Sequence, residues 1–136
     1  MQKHTIKVEI PTTVTTQLQC QTAVLDMLGE QGGKDFTNLI IKYRQNGDIW
    51  FYNLDIQAEG DQKFMYATRV FDSAEAKESF ATEAAEYFSG IGATVVSDEA
   101  ITFEAFAAYA AEKNELIGIP AKFAPPGTEP HPEELE

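Results

Sequence analysis

The segment Leu39-Ile40-Ile41-Lys42-Tyr43-Arg44-Gln45-Asn46-Gly47-Asp48-Ile49-Trp50-Phe51-Tyr52-Asn53-Leu54-Asp55-Ile56 decides how the whole chain is read. Leu39, Ile41 and Tyr43 alternate with their neighbours, and so do Trp50, Tyr52, Leu54 and Ile56. Asn46-Gly47 between them tolerates the positive φ angles of a type I′ turn, whose twist suits a two-residue hairpin. Pairing Gln45 with Asp48 sets Tyr43 opposite Trp50, Ile41 opposite Tyr52 and Leu39 opposite Leu54. All the large residues of that set then share one face, which supports the register. A third strand over 63–71 follows the turn at Glu59-Gly60-Asp61, with Phe64, Tyr66, Thr68 and Val70 expected on the same face.

Working outward, residues 4–10 alternate as a half-buried strand, with His4, Ile6, Val8 and Ile10 inward. Residues 20–30 follow a helical period through Val24, Leu25 and Leu28, and Gly29, Gly32 and Gly33 read as stop signals. Asp72, with Glu75 three residues on, has the pattern of a capping box opening a second helix. Ala76, Phe80, Ala84, Tyr87, Phe88 and Ile91 form its apolar stripe, and Gly90 and Gly92 end it. Residues 93–96 make a short strand, and Thr102 caps a last helix over 103–114 with Phe103, Phe106, Ala107 and Ala110 inward. The expected order is β-α-β-β-β-α-β-α. With one strand and the last helix set aside, this is an α+β, ferredoxin-like (split βαβ) plan, an antiparallel sheet with helices on one face. Residues 1–122 form one domain. Residues 123–136 are rich in Pro and Glu and read as an extended tail, pinned at its start by Phe123.

The 136 residues carry 10 Lys and Arg against 22 Asp and Glu, a net charge of −12. That balance repels nucleic acid and anionic membranes, so neither is an expected partner. No apolar run is long enough to span a bilayer, and the first residues lack the apolar core of a signal peptide. The single cysteine, Cys20, excludes an intramolecular disulfide, and a cytoplasmic location follows as the default.

Chemistry is sparse. His4 and His131 lie at opposite ends of the chain, and the acidic pairs Asp98-Glu99 and Glu133-Glu134 do not converge, so no metal site is expected. Cys20 has no histidine near it in sequence, and the glycines after the first helix are not a phosphate loop. No cofactor and no catalytic set emerge, and the balance leans away from an enzyme.

The primary expectation is a non-catalytic acidic module that binds a protein partner, in the style of a phage or mobile-element inhibitor or adaptor. Glu75, Glu78, Glu83 and Glu86 on one helix, with Glu104, Glu112 and Glu115 on another, would make an acidic helical face. The opposite sheet face would carry Lys42, Arg44, Ile49, Phe51, Met65 and Arg69, an apolar strip rimmed by cations and suited to a partner or a homodimer. A second expectation is a dimeric α/β-barrel enzyme or small-ligand carrier with its pocket between sheet and helices, lined by Tyr43, Trp50, Tyr52, Tyr66 and His4. A third is a structural subunit of a larger assembly.

Overall fold

A computed structural model describes residues 1–113. The Pro/Glu-rich tail, Phe123, His131 and Glu115 lie outside the described residues. Seven elements follow in the order β1 (Gln2–Ile10), α1 (Gln17–Gln45), β2 (Ile49–Glu59), β3 (Gln62–Phe71), α2 (Ala74–Gly90), β4 (Thr94–Ala100) and α3 (Phe103–Lys113). The fold is α+β, with one antiparallel sheet in the order β2-β3-β1-β4.

The first expected hairpin does not form. Residues 39–45 are the end of α1, so among the described residues the sheet has four strands and not five. Asn46-Gly47 closes a helix instead. Asn46 is the C-cap and Gly47 takes φ 78°. The Gly47 amide donates to the Arg44 carbonyl at 3.0 Å and the Asp48 amide to the Tyr43 carbonyl at 2.9 Å. This pair of bonds is the Schellman closure, which needs the same left-handed glycine as a type I′ turn. The hairpin that does form joins β2 to β3. Glu59 pairs with Gln62, and Gly60, at φ 64°, supplies the positive φ of a two-residue loop.

Helix α1 starts at a capping box, with Thr16 accepting from the Gln19 amide and Gln19 reaching back to the Thr16 backbone. Gly29 interrupts it at φ 84°, ψ 167°, and a second helical segment continues to Gln45. The expected stop at Gly29 is therefore a break between two segments. The Gly33 α-carbon comes so close to the first segment that a β-carbon there would lie 3.1 Å from the Leu25 carbonyl oxygen. Ser73, one residue after the expected Asp72, caps α2 by accepting from the Ala76 amide. Thr102 caps α3 as expected, accepting from the Ala105 amide at 3.1 Å.

Both faces of the sheet are covered. Ile6, Val8, Ile10, Leu54, Met65 and Ala67 pack with Cys20 and Val24 of α1. Phe36, Tyr43, Ile49, Phe71, Phe80 and Ala84 extend this layer between α1 and α2. On the other face, Phe51 and Val70 pack with Phe106 and Ala110 of α3. Helices therefore do not all lie on one face: α3 stands opposite α1 and α2. The physical reason is that β2 and β3 present large apolar residues at both parities, and each set needs a cover. The expected register of 63–71 is inverted for the same reason. Met65, Ala67 and Phe71 pack toward α1 and α2, while Val70 packs toward α3.

Candidate ligand-binding cavity

A cavity of about 570 Å³ lies between the sheet and the two segments of α1, closed at one end by α2. Its floor comes from the sheet, with Ile6 of β1, Leu54 of β2, and Met65 and Arg69 of β3. Gln21, Val24 and Leu25 of the first α1 segment form one wall, and Phe36, Thr37, Ile40, Ile41 and Arg44 of the second form another. Phe88 and Ile91 close the α2 end. The break at Gly29 gives each segment its own wall, and the close approach of Gly33 to Leu25 holds the two together.

The edge strand contributes four consecutive residues, Ile49, Trp50, Phe51 and Tyr52. A regular strand would turn alternate residues away. Here the pairing jumps, with Ile49 opposite Phe71 and Phe51 opposite Val70, so Trp50 is the extra residue of a β-bulge. Ile41 and Tyr52, exposed by 42% and 38%, mark the mouth. The Gln21 side-chain amide donates to the Tyr52 hydroxyl at 2.5 Å and ties α1 to β2 there.

Arg69 is the unusual member of this lining. It is 8% exposed, with its guanidinium 5.4 Å from the Phe80 ring centre and 5.9 Å from that of Phe36. No carboxylate pairs with it among the described residues. Burial lowers its pKa to about 10, so it stays charged at neutral pH. Arg44, at the exposed end of the α1 wall, is the second cation. The described lining includes no Asp or Glu, in a chain that has 22.

The residues expected to form sites fall in several places. Of the expected sheet-face set, Lys42 and Arg44 are on α1, while Ile49, Met65 and Arg69 face α1 and α2. Only Phe51 keeps its expected face, and α3 covers it, with Phe106 and Tyr109 ring centres 6.1 and 5.5 Å away. Of the expected pocket lining, Trp50 and Tyr52 are present and Tyr43, Tyr66 and His4 are not. The Tyr43 hydroxyl shares a 2.8 Å hydrogen bond with Ser79 and donates to Glu83, which holds the Glu83 carboxyl below its usual range.

Glu75, Glu78, Glu83 and Glu86 are all exposed on α2, and Glu104 and Glu112 are exposed on α3, across the sheet. The two acidic sets do not share a face. Lys42 lies 3.5 Å from Glu83, and both line a shallow cleft between α1 and α2 with Glu86. Cys20 is fully buried, and burial pushes its thiol up, away from the thiolate a nucleophile needs.

A second polar group lies under α2. Lys77 donates to Asp98 and to Glu78, each at 2.8 Å, and Gln2 donates to Asp98 at 2.6 Å. His4 is buried, with its Nδ1 3.9 Å from Asp98 and unbonded among the described residues. Burial lowers the His4 pKa, outweighing the attraction of Asp98. Among the described residues no cluster of three His, Cys, Asp or Glu could hold a metal ion, and no helix is long and apolar enough to cross a membrane.

Sequence reasoning missed Phe36 and Thr37, and set Ile40 on a strand of the open sheet face, because it ended the helix at the glycines. A signal was present: Leu25, Leu28, Gly32, Phe36, Leu39 and Tyr43 follow three- and four-residue steps. The inward placement of Arg69 had no comparable signal. Comparison with protein families, with curated proteins and with solved structures finds no match to this chain.

Proposed function

We propose that the protein binds a small molecule in the cavity between its sheet and α1. The observation that carries this reading is the cavity itself, at about 570 Å³ and lined mainly by apolar side chains. Small-molecule sites fall in the range of roughly 300–1,000 Å³, and they pair an apolar lining with a few placed polar groups. Arg69, Arg44, Gln21 and Tyr52 supply those groups. Natural cores are packed close to crystal density, so a space this large beside the core is a feature that a ligand would fill. In the same reading, the strand order β2-β3-β1-β4, with α1 joining β1 to β2 and α2 joining β3 to β4, corresponds to the split βαβ plan, and α3 is an addition to it.

The test uses a neutral apolar dye, Nile red, and a variant that fills the cavity. Leu25→Trp replaces an aliphatic wall residue by a bulky indole. The expected result is saturable binding of one dye per chain in the wild type and its loss in the variant at unchanged melting temperature. No saturable binding, or equal binding by a folded Leu25→Trp, would overturn the reading.

The exposed glutamates of α2 support a second, compatible reading in which that helix docks on a basic protein. Glu75 and Glu86 are the members to reverse together, because Glu83 and Glu78 also hold Tyr43 and Lys77. An unchanged set of captured partners after Glu75→Lys with Glu86→Lys would remove it.

A further inference from the structure

We infer that the cavity takes an amphipathic anion, an apolar chain or ring ending in a single carboxylate, with the carboxylate on Arg69. This inference rests on the cavity being a ligand site. Three features of Arg69 lead to it. Arg69 is more than nine-tenths buried, faces the cavity, and lacks a carboxylate partner among the described residues. A buried cation is normally paired, because removing it from water is expensive unless an opposite charge and hydrogen bonds compensate. The two aromatic rings beside it offset part of that cost but offer no hydrogen-bond acceptor in the plane of the guanidinium.

The charge distribution points the same way. A chain with 22 acidic and 10 basic residues places two arginines and no described carboxylate around this cavity. Any cationic ligand would meet like charge on the floor and at the mouth. A guanidinium binds carboxylate and phosphate alike through two parallel hydrogen bonds. A phosphate monoester carries about −1.5 to −2 charge at pH 7, more than one buried guanidinium neutralises. A monocarboxylate balances it one to one.

The tail has a defined course. Arg69 and Met65 are both on the β3 floor, four residues apart, which is about 13 Å along a strand. From Arg69 the floor runs to Met65 beside Leu54, while Phe88 of α2 stands at the Arg69 end, its ring centre 5.4 Å from that of Phe36. Tyr52, directly opposite Arg69 in the β2–β3 register, stands at the mouth, so the head group lies near the entrance and the tail beneath α1.

The test is calorimetric titration of the full chain with dodecanoate, with benzoate, and with dodecanol as a neutral comparator, repeated on Arg69→Met and Arg44→Met. The expected result is dodecanoate binding at least ~10-fold tighter than dodecanol in the wild type. Arg69→Met should weaken dodecanoate at least ~30-fold and leave dodecanol within about threefold, since truncating one partner of a buried charge pair has effects of that size. Tighter binding of benzoate than of dodecanoate would keep the carboxylate and assign the tail to a ring. Equal affinity for acid and alcohol would overturn the inference and leave the cavity reading standing. Selectivity that survives Arg69→Met and disappears in Arg44→Met would overturn the assignment to Arg69. Binding of none of the three, with Nile red also excluded, would overturn both.

Discussion

Arg69 and Phe80 meet across the interface of sheet and α2, the guanidinium 5.4 Å from the ring centre, with no described carboxylate beside it. Burial disfavours the charged guanidinium here, and the nearby Tyr52 offsets only part of that cost. Replacing a buried charge by an apolar side chain of similar length is often neutral or stabilising by about 1–4 kcal/mol. Arg69→Met is therefore expected to unfold at the same or higher urea concentration than the wild type. The folded pKa of about 10 and the higher ordinary value of an arginine both lie well above neutrality, so the difference should be flat between pH 6 and 8. A loss of more than ~1 kcal/mol in Arg69→Met would show that the guanidinium makes a stabilising pair instead. A gain in stability together with lost binding would place Arg69 among residues kept for function at the expense of the fold.

Gly29 and Gly33 hold the broken helix in different ways, and substitutions should separate them. Gly29 is at φ 84°, ψ 167°, a region essentially reserved for glycine, and a β-carbon there would meet nothing within 4 Å. Gly29→Ala is expected to lower stability by about 1–3 kcal/mol through backbone strain alone. Gly33 lies in regular helix, but its β-carbon would lie 3.1 Å from the Leu25 carbonyl oxygen. Gly33→Ala gains helix propensity and pushes the segments apart, so its effect should appear on the cavity. Urea titration read beside dye affinity checks both. A Gly33→Ala that binds dye as the wild type does would mean that the two walls are set elsewhere.

The same region shows what was legible in the sequence. The strand at 4–10, the stripe of α2 and the cap at Thr102 were readable because each carries one strong period or one local hydrogen bond. Residues 39–45 misled because Ile41, 42% exposed at the cavity mouth, is apolar where an ordinary helix surface would be polar. It completed the alternation Leu39, Ile41, Tyr43. The cap glycine Gly47 then fitted a turn as well as a helix end. Both local cues pointed to a hairpin, and the longer helical spacing from Leu25 to Tyr43 was cut by Gly29. The inversion of β3 has another cause. Phe64, Tyr66 and Val70 alternate with Met65, Ala67 and Phe71, because Val70 lies under α3 and the Lys7 side chain lies over the rings of Phe64 and Tyr66, so alternation could not choose between them. With the parity wrong, Arg69 fell on the outer face and the strongest polar feature of the cavity was lost. Sequence reasoning fails most where a residue serves a site instead of its local element.

Helix α3 makes the third layer through one fully buried anchor. Phe106 packs on Phe51 at 6.1 Å and on Trp50 at 5.7 Å between ring centres. Phe106→Ala is expected to lower stability by about 3–5 kcal/mol, the range for emptying a buried aromatic site. Trp50 is the single tryptophan, so its emission reports on this contact directly. A red shift at zero denaturant would mean that α3 has left the sheet while the rest stays folded. An unshifted spectrum with stability intact would show that α3 contributes little to covering Phe51 and Val70.

The polar group under α2 should give the protein a mild acid sensitivity with two separable steps. His4 is buried, and its folded pKa lies below 6.5. The unfolded chain binds that proton first as pH falls, so the stability tied to neutral His4 is complete above 6.5 and declines between 6.5 and the lower folded value. The groups facing it are Asp98 on β4, Lys77 and Glu78 on α2, and Arg69 on β3; desolvation, helped by the Lys77 and Arg69 charges, outweighs the pull of Asp98 and Glu78. Asp98 behaves in the same direction at lower pH. Its bond from Lys77 holds its pKa below 3.8, so its contribution is present above 3.8 and is lost as pH falls through the folded value. His4→Gln keeps a polar side chain at this position and removes the first step alone. Asp98→Asn removes the second and leaves Lys77 with Glu78 as its remaining partner. Urea midpoints taken at half-unit intervals from pH 7 to pH 3 should therefore show a wild-type slope below pH 6.5 that His4→Gln flattens. A wild-type curve flat from pH 7 to pH 4.5, or a His4→Gln curve with the same slope, would show that the buried imidazole is not what the fold protects from acid.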